Sequence, residues 1–158
     1  MKPLLALRGY LEQHFPKSVR GEPKCSCGSG NHVRILFFLV DDQPASAIIP
    51  EASRINADEL QRVLGAHRVQ PLAITDVESV YADSELGQAQ PFEQPFGHRV
   101  YFDERMLKNE ELVFCPRMFF GKEGECFRAP TQKFLELVHP TIISMAPVLA
   151  GEFDDWAV

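Results

Sequence analysis

The spacing of apolar residues changes several times along the chain, and each change predicts an element. Leu4, Leu7, Leu11 and Phe15 recur at helical spacing, so residues 3–15 read as an amphipathic helix that Pro16 stops. Residues 16–32 are rich in Pro, Gly, Ser and Cys and read as a long mobile loop. Val33–Val40 is almost continuously apolar, the pattern of a strand in the middle of a sheet covered on both faces. Alternation sends Leu36, Phe38 and Val40 to one layer and Ile35, Phe37 and Leu39 to the other. Asp41-Asp42-Gln43-Pro44 predicts the turn, and Ala45–Ile49 the returning strand, ended by Pro50. Asn56 followed by Glu59 marks a helix start, Leu60, Val63 and Leu64 its buried stripe, and Gly65 its stop. A short strand is expected at Arg68–Gln70.

Further on, Thr75-Asp76-Val77-Glu78 opens a second capped helix through about Ala82, with Val77, Val80 and Tyr81 inward. A dense Gly/Pro/Phe loop spans Gly87–Gly97. Arg99–Asp103 reads as a strand with Val100 and Phe102 on one face, and Asp103–Leu107 as a helical turn. Leu112–Phe120 and Cys126–Arg128 suggest a hairpin around Gly121-Lys122-Glu123-Gly124. Thr131–Val138 reads as a helix with Phe134, Leu135 and Val138 inward, followed by an apolar stretch, Ile142–Leu149, and an acidic end. Strands and helices mix without a regular βαβα period, so the fold class is α+β with a mixed sheet. No internal repeat or linker divides the chain, and residues 1–158 read as one domain.

Composition narrows the function. Apolar residues make up 45% and charged residues 24% of the 158 positions, which excludes a disordered or fibrous chain. No apolar run approaches the ~20 residues of a membrane span. Arg8 cuts short the apolar start that a signal peptide would need, so a cytoplasmic protein without membrane contact is expected. The net charge of −6 argues against a free-standing DNA or RNA binder and leaves RNA recognition to a local basic patch or a partner's help. Cys25 and Cys27 are one residue apart, too close for the usual zinc chelate, and no second ligand pair follows, so no metal is expected. Cys115 and Cys126 look like buried strand residues.

Motifs of independent chemistry are absent: there is no P-loop, dinucleotide fingerprint, zinc-protease helix or nucleophile elbow. The histidines at 14, 32, 67, 98 and 139 are scattered and read as surface or capping residues. Asp41-Asp42 and Asp154-Asp155 read as a turn and a solvated tail.

The order of elements from 34 to 138 is more specific. A charged residue, Arg34, heads an apolar strand. A second strand ends in Pro50, then come Asn56-Ala57-Asp58-Glu59-Leu60 and Leu64-Gly65. Asp83-Ser84-Glu85-Leu86-Gly87, the Pro91-Phe92 loop and Gly97 follow, then Val100-Tyr101-Phe102-Asp103, Val113-Phe114, Pro130 and the Phe134 helix. This succession resembles the YbaK/prolyl-tRNA editing-domain family of aminoacyl-tRNA deacylases, strongest from Asp83 to Asp103.

The resemblance implies a mixed β-sheet or barrel core flanked by helices, with 16–32 as a preceding loop and 141–158 as a C-terminal extension. It also implies hydrolysis of the ester of a mischarged aminoacyl-tRNA, assisted by the tRNA's own terminal hydroxyl and a bound water. Positioning and backbone hydrogen bonds suffice for so reactive an ester, so no strong nucleophile and no cofactor are needed. The implied catalytic residues are Arg34, where the family has a lysine, and Gly87. The implied substrate-binding set is Arg34, Gly87, Ala89, Pro91, Phe92, Glu93 and Arg117. Gly87 and Pro91 match the family's loop, whereas Arg34, Glu93 and Arg117 stand where the family has lysine, glycine and glycine. The implied partner is an aminoacylated tRNA 3′ end, with a synthetase as a possible helper. These departures keep a second reading open, a non-catalytic regulatory module that binds a ligand or a tRNA end. The plainest reading makes Arg34 a strand cap and 87–97 a turn-rich loop.

Overall fold

In the computed structural model, residues 11–22, 32–51, 53–72, 99–114 and 126–145 are described. Eight strands and two principal helices lie among them. They are β1 (Arg20–Glu22), β2 (Val33–Val40), β3 (Gln43–Pro50), α1 (Ala57–Leu64), β4 (Val69–Pro71), β5 (Arg99–Asp103), β6 (Glu111–Phe114), β7 (Cys126–Pro130), α2 (Thr131–Val138) and β8 (Thr141–Ile143). A 3₁₀ turn, Glu104–Lys108, follows β5, and residues 11–14 are helical, with Leu11 fully buried.

Two sheets form. The larger has the order β4-β2-β3-β5-β8, and the smaller β1-β7-β6. In the larger sheet β2 is antiparallel to both β3 and β4, while β3, β5 and β8 run parallel. The fold is therefore α+β with mixed pairing, and among the described residues the sheets do not close into a barrel. The apolar run of β2 is internal, as its two-sided pattern requires. Its odd residues Val33, Ile35 and Phe37 enter one core with Ile48, Phe102, Phe114, Phe127 and Phe134, between the two sheets and under α2. Its even residues Leu36 and Phe38 enter a second core with Ala47, Ile49, Tyr101 and Leu60 of α1. Phe114 stacks on Phe127 at 5.0 Å and meets Phe134 at 5.7 Å, so three elements converge on one aromatic cluster. Each such buried aromatic contributes about 1.5–3 kcal/mol of transfer free energy.

Local signals set the boundaries. The Asn56 side chain accepts from the backbone N–H of Asp58 and Glu59 and starts α1, and Gly65, at φ 64°, ends it. The β2–β3 turn is tighter than the four residues expected. Val40 pairs with Gln43, and only Asp41 and Asp42 turn, at φ 47° and 69°. That is the geometry whose twist matches an antiparallel hairpin, and aspartate tolerates it better than most residues. Pro44 therefore belongs to β3; its missing N–H is harmless because the pairing with β5 begins only at Ala45. The Asp41 carboxylate accepts from the backbone N–H of His67 and Arg68, tying the turn to the strand that follows α1.

The segment 16–32, expected to be a mobile loop, contains β1, which pairs with β7. Arg20 and Arg128 share the Glu111 carboxylate at 3.0 and 3.2 Å, so one acidic side chain bridges all three strands of the small sheet. At the end of the same segment His32 forms a parallel bridge with Val113 of β6. His32, expected to be a surface or capping residue, is buried and so is not at the surface. The bridge joins the small sheet to the head of β2. The predicted helix 75–82 and strand residues 115–120 lie outside the described residues.

Candidate functional site

The head of β2 is where the two sheets part. β4 pairs with β2 only from Phe38 to Val40, and the link to the small sheet lies at His32. Arg34 stands between these two junctions. By alternation it shares its face with Leu36 and Phe38, at the margin of the core covered by α1. A guanidinium beside an apolar face is costly without a polar partner. Arg34 is half-buried, and its Nη1 donates to the Ser53 carbonyl at 3.2 Å.

Ser53 belongs to the turn that ends β3. Its N–H donates to the Pro50 carbonyl at 3.0 Å, closing the four residues 50–53. Glu51, the second residue of that turn, donates its own N–H to the His32 carbonyl at 3.0 Å. His32, Arg34, Glu51 and Ser53 are thus gathered at one end of the β2–β3 pair. Arg54 follows on the exposed side. Two arginines at this end are the kind of local basic patch an acidic chain needs if it is to approach a phosphate backbone.

Of the residues expected to form the site, Arg34 alone lies within the described residues. Gly87, Ala89, Pro91, Phe92, Glu93 and Arg117 lie outside them, as do Cys25 and Cys27. Among the described residues no group of three or more His, Cys, Asp or Glu side chains could hold a metal.

A cavity of about 660 Å³ opens at the other end of the sheet, lined by the β2–β3 turn, Arg99, Tyr101, His139 and Thr141 among others. Val40 at its rim is six residue steps along the strand from Arg34, or roughly 20 Å. The Arg99 guanidinium meets the Tyr101 hydroxyl at 3.4 Å, which raises the arginine's pKa. Near the far end of β5, the buried Asp103 carboxylate caps the 3₁₀ turn through the Arg105 N–H at 2.9 Å and pairs with the Arg105 side chain at 2.6 Å. These hydrogen bonds raise the arginine's pKa. They satisfy the Asp103 carboxylate within its own turn, and we treat this pair as structural. The candidate site is placed at Arg34 rather than at this cavity, because there a half-buried cation is fixed to the turn that also holds Glu51 and is joined by a backbone hydrogen bond to the buried His32.

Sequence reasoning missed His32, Glu51 and Ser53. The signal available for the last two was Pro50, which ends a buried strand and forces a turn directly opposite the strand head that carries Arg34.

An internal apolar strand headed by a half-buried cation, in a mixed sheet faced by a second sheet and two helices, defines a small α+β domain with a polar site at a strand end. Residues 17–118 match the family model of the aminoacyl-tRNA editing domain, and the chain belongs to that family. The match reaches further toward the N-terminus than the succession from 34 to 138 and takes in β1. No curated protein matches the chain.

Solved structures share the fold. A candidate trans-editing enzyme for prolyl tRNA synthetase aligns with TM-score 0.63 at 18% identity, over 94% of this chain and 99% of that one. A candidate signal transduction protein from Marinobacter aquaeolei VT8 aligns with TM-score 0.68 at 16% identity, over 93% of this chain. The chain spans 31% of that protein's length. No helix among the described residues is long and apolar enough to cross a membrane.

Proposed function

We propose that this chain is a trans-acting aminoacyl-tRNA deacylase that removes a wrong amino acid from a mischarged tRNA. Water adds to the ester carbonyl, the bond from the carbonyl carbon to the ribose oxygen breaks, and the departing ribose hydroxyl takes the proton. The products are the free amino acid and the uncharged tRNA. Arg34 contacts the ester carbonyl or the terminal phosphate, and the backbone from Gly87 to Pro91 holds the ester and the amino acid, with Ala89, Phe92, Glu93 and Arg117 completing the substrate-binding set. A synthetase is the natural helper for so acidic a protein, and the cytoplasm its natural compartment. Membership of the editing family supports this reading. The observation that carries it is the half-buried Arg34 guanidinium held at the Ser53 carbonyl, at the head of an internal strand. A charge-assisted donor so placed can stabilise an oxyanion without a side-chain nucleophile.

The residues at three expected family positions, Arg34, Glu93 and Arg117, favour a second reading in which the pocket binds a tRNA end and does not hydrolyse it. Measuring ester release across a panel of mischarged tRNAs separates the two. The deacylase reading expects turnover above the buffer rate for at least one tRNA, and His14→Ala retaining it. Binding of the panel with no release for any member would establish the second reading and end the first.

A further inference from the structure

Glu51 holds a carboxylate oxygen that no described residue answers. Its Oε2 is buried and has no hydrogen-bond partner among the described residues. A buried acceptor without a donor is costly, and more so when it carries charge. Yet Glu51 is not misplaced: its backbone N–H is fixed to the His32 carbonyl, and it sits in the turn whose Ser53 carbonyl receives the Arg34 guanidinium. One turn thus anchors a cation and holds a carboxylate with a buried, unpartnered oxygen.

That pairing of charges suits a ligand with a cationic group close to a polarised carbonyl or an anion. Every aminoacyl ester with a free amine has this form, because its α-ammonium is one carbon from the ester carbonyl. We propose that Glu51 accepts a hydrogen bond from the α-ammonium of the aminoacyl group, which makes a free amine a condition of recognition. The inference rests on reading this end of the sheet as the aminoacyl site. It adds a specificity-determining residue: aminoacyl ends with an unblocked amine are accepted, and N-acylated ones are refused. A charge-assisted contact of this kind is worth about tenfold in affinity or more.

The test uses the full chain and aminoacyl adenosines whose ester is replaced by an amide, so that binding is read without turnover. A panel of these is compared with its N-acetylated counterparts by titration calorimetry. The wild type is expected to bind the free-amine form of its preferred member at least about tenfold more tightly than the acetylated form. Glu51→Gln, which keeps the shape and removes the charge, is expected to reduce that ratio to about twofold or less, chiefly by weakening the free-amine form. The melting temperature of Glu51→Gln should match or exceed that of wild type, because the substitution removes charge from a group whose buried Oε2 has no hydrogen-bond partner among the described residues. Equal affinity for the two forms, a preference that survives Glu51→Gln, no binding by any member, or a melting temperature lowered by several degrees would each overturn the proposal. Ester hydrolysis is scored separately. A Glu51-dependent amine preference without hydrolysis supports the role of Glu51 and ends the deacylase reading.

Discussion

Replacing Arg34 with alanine removes at least a hydrogen bond within the fold and the proposed contact to the ligand, and the two are read by different measurements. The hydrogen bond from Nη1 to the Ser53 carbonyl, at 3.2 Å and only part-buried, is worth about 0.5–1.5 kcal/mol of stability. For a chain of this size that corresponds to a fall in melting temperature of roughly 1–6 °C. The contact to the ligand is charge-assisted, worth about 1.5–3 kcal/mol. At about 1.36 kcal/mol per decade, kcat/KM for ester hydrolysis should fall ten- to about 150-fold. Hydrolysis of a mischarged tRNA, followed at a temperature well below both melting points, isolates the second effect from the first. Arg34→Lys sharpens the test. Lysine keeps the charge but concentrates its donors on one nitrogen, which must serve both the Ser53 carbonyl and the ligand, whereas the planar fork divides those tasks. Arg34→Lys should therefore retain most of the stability and lose about tenfold in kcat/KM. Arg34→Ala with kcat/KM within about twofold of wild type would refute the reasoning, since one charge-assisted contact is worth more than that. Arg34→Lys as active as wild type would show that the fork has no separate role.

Asn56→Ala should destabilise the protein by about 1 kcal/mol in a urea titration, because the Asn56 side chain accepts from two backbone N–H groups at the start of α1. Asp42→Gly should be neutral or stabilising by up to about 1 kcal/mol, since glycine adopts the φ of 69° at this position without strain. Asp41→Gly also relieves φ strain, but it deprives the His67 and Arg68 N–H groups of their acceptor and should come out less stable than Asp42→Gly in the same assay. Phe102→Ala should cost about 3–5 kcal/mol, since Phe102 is fully buried against Phe134 at 5.9 Å.

Much of the fold was legible because its signals are local or periodic. Val33–Val40 reads as an internal strand from its apolar residues alone, and α1 from Asn56 and Gly65. The strand at Arg99–Asp103 and the helix at Thr131–Val138 appear where the pattern puts them. β1 was not legible, because Arg20-Gly21-Glu22 has no apolar residue; it is placed by backbone pairing to Cys126–Arg128 and by an ion pair to Glu111, both distant in sequence. The turn was read as too long because a proline within a strand is usually a contradiction, and only the position of β5 shows why Pro44 is tolerated. The candidate site divides in the same way. Arg34 stands out in the sequence as a charge at the head of an apolar run. Glu51 looks like an ordinary solvated residue after a proline until the fold buries one of its oxygens.

The position of Arg34 also bears on why the proposed site needs no nucleophile. A carboxylate or imidazole base must be tuned by burial and neighbours before it works at neutral pH. A guanidinium needs no tuning, since it stays charged at every physiological pH. It needs a fixed position, and a strand held between β3 on one side and the β4 and β6 junctions on the other supplies it. An aminoacyl ester is reactive enough that orientation and oxyanion stabilisation contribute most of what hydrolysis requires. The same economy exposes the design to loss of function. If positioning is the whole of the chemistry, changes at the proposed substrate-binding positions Glu93 and Arg117 can switch turnover off while leaving the anchored cation and the carboxylate of the same turn able to hold the ligand. For this reason binding and hydrolysis have to be measured as separate properties of this chain.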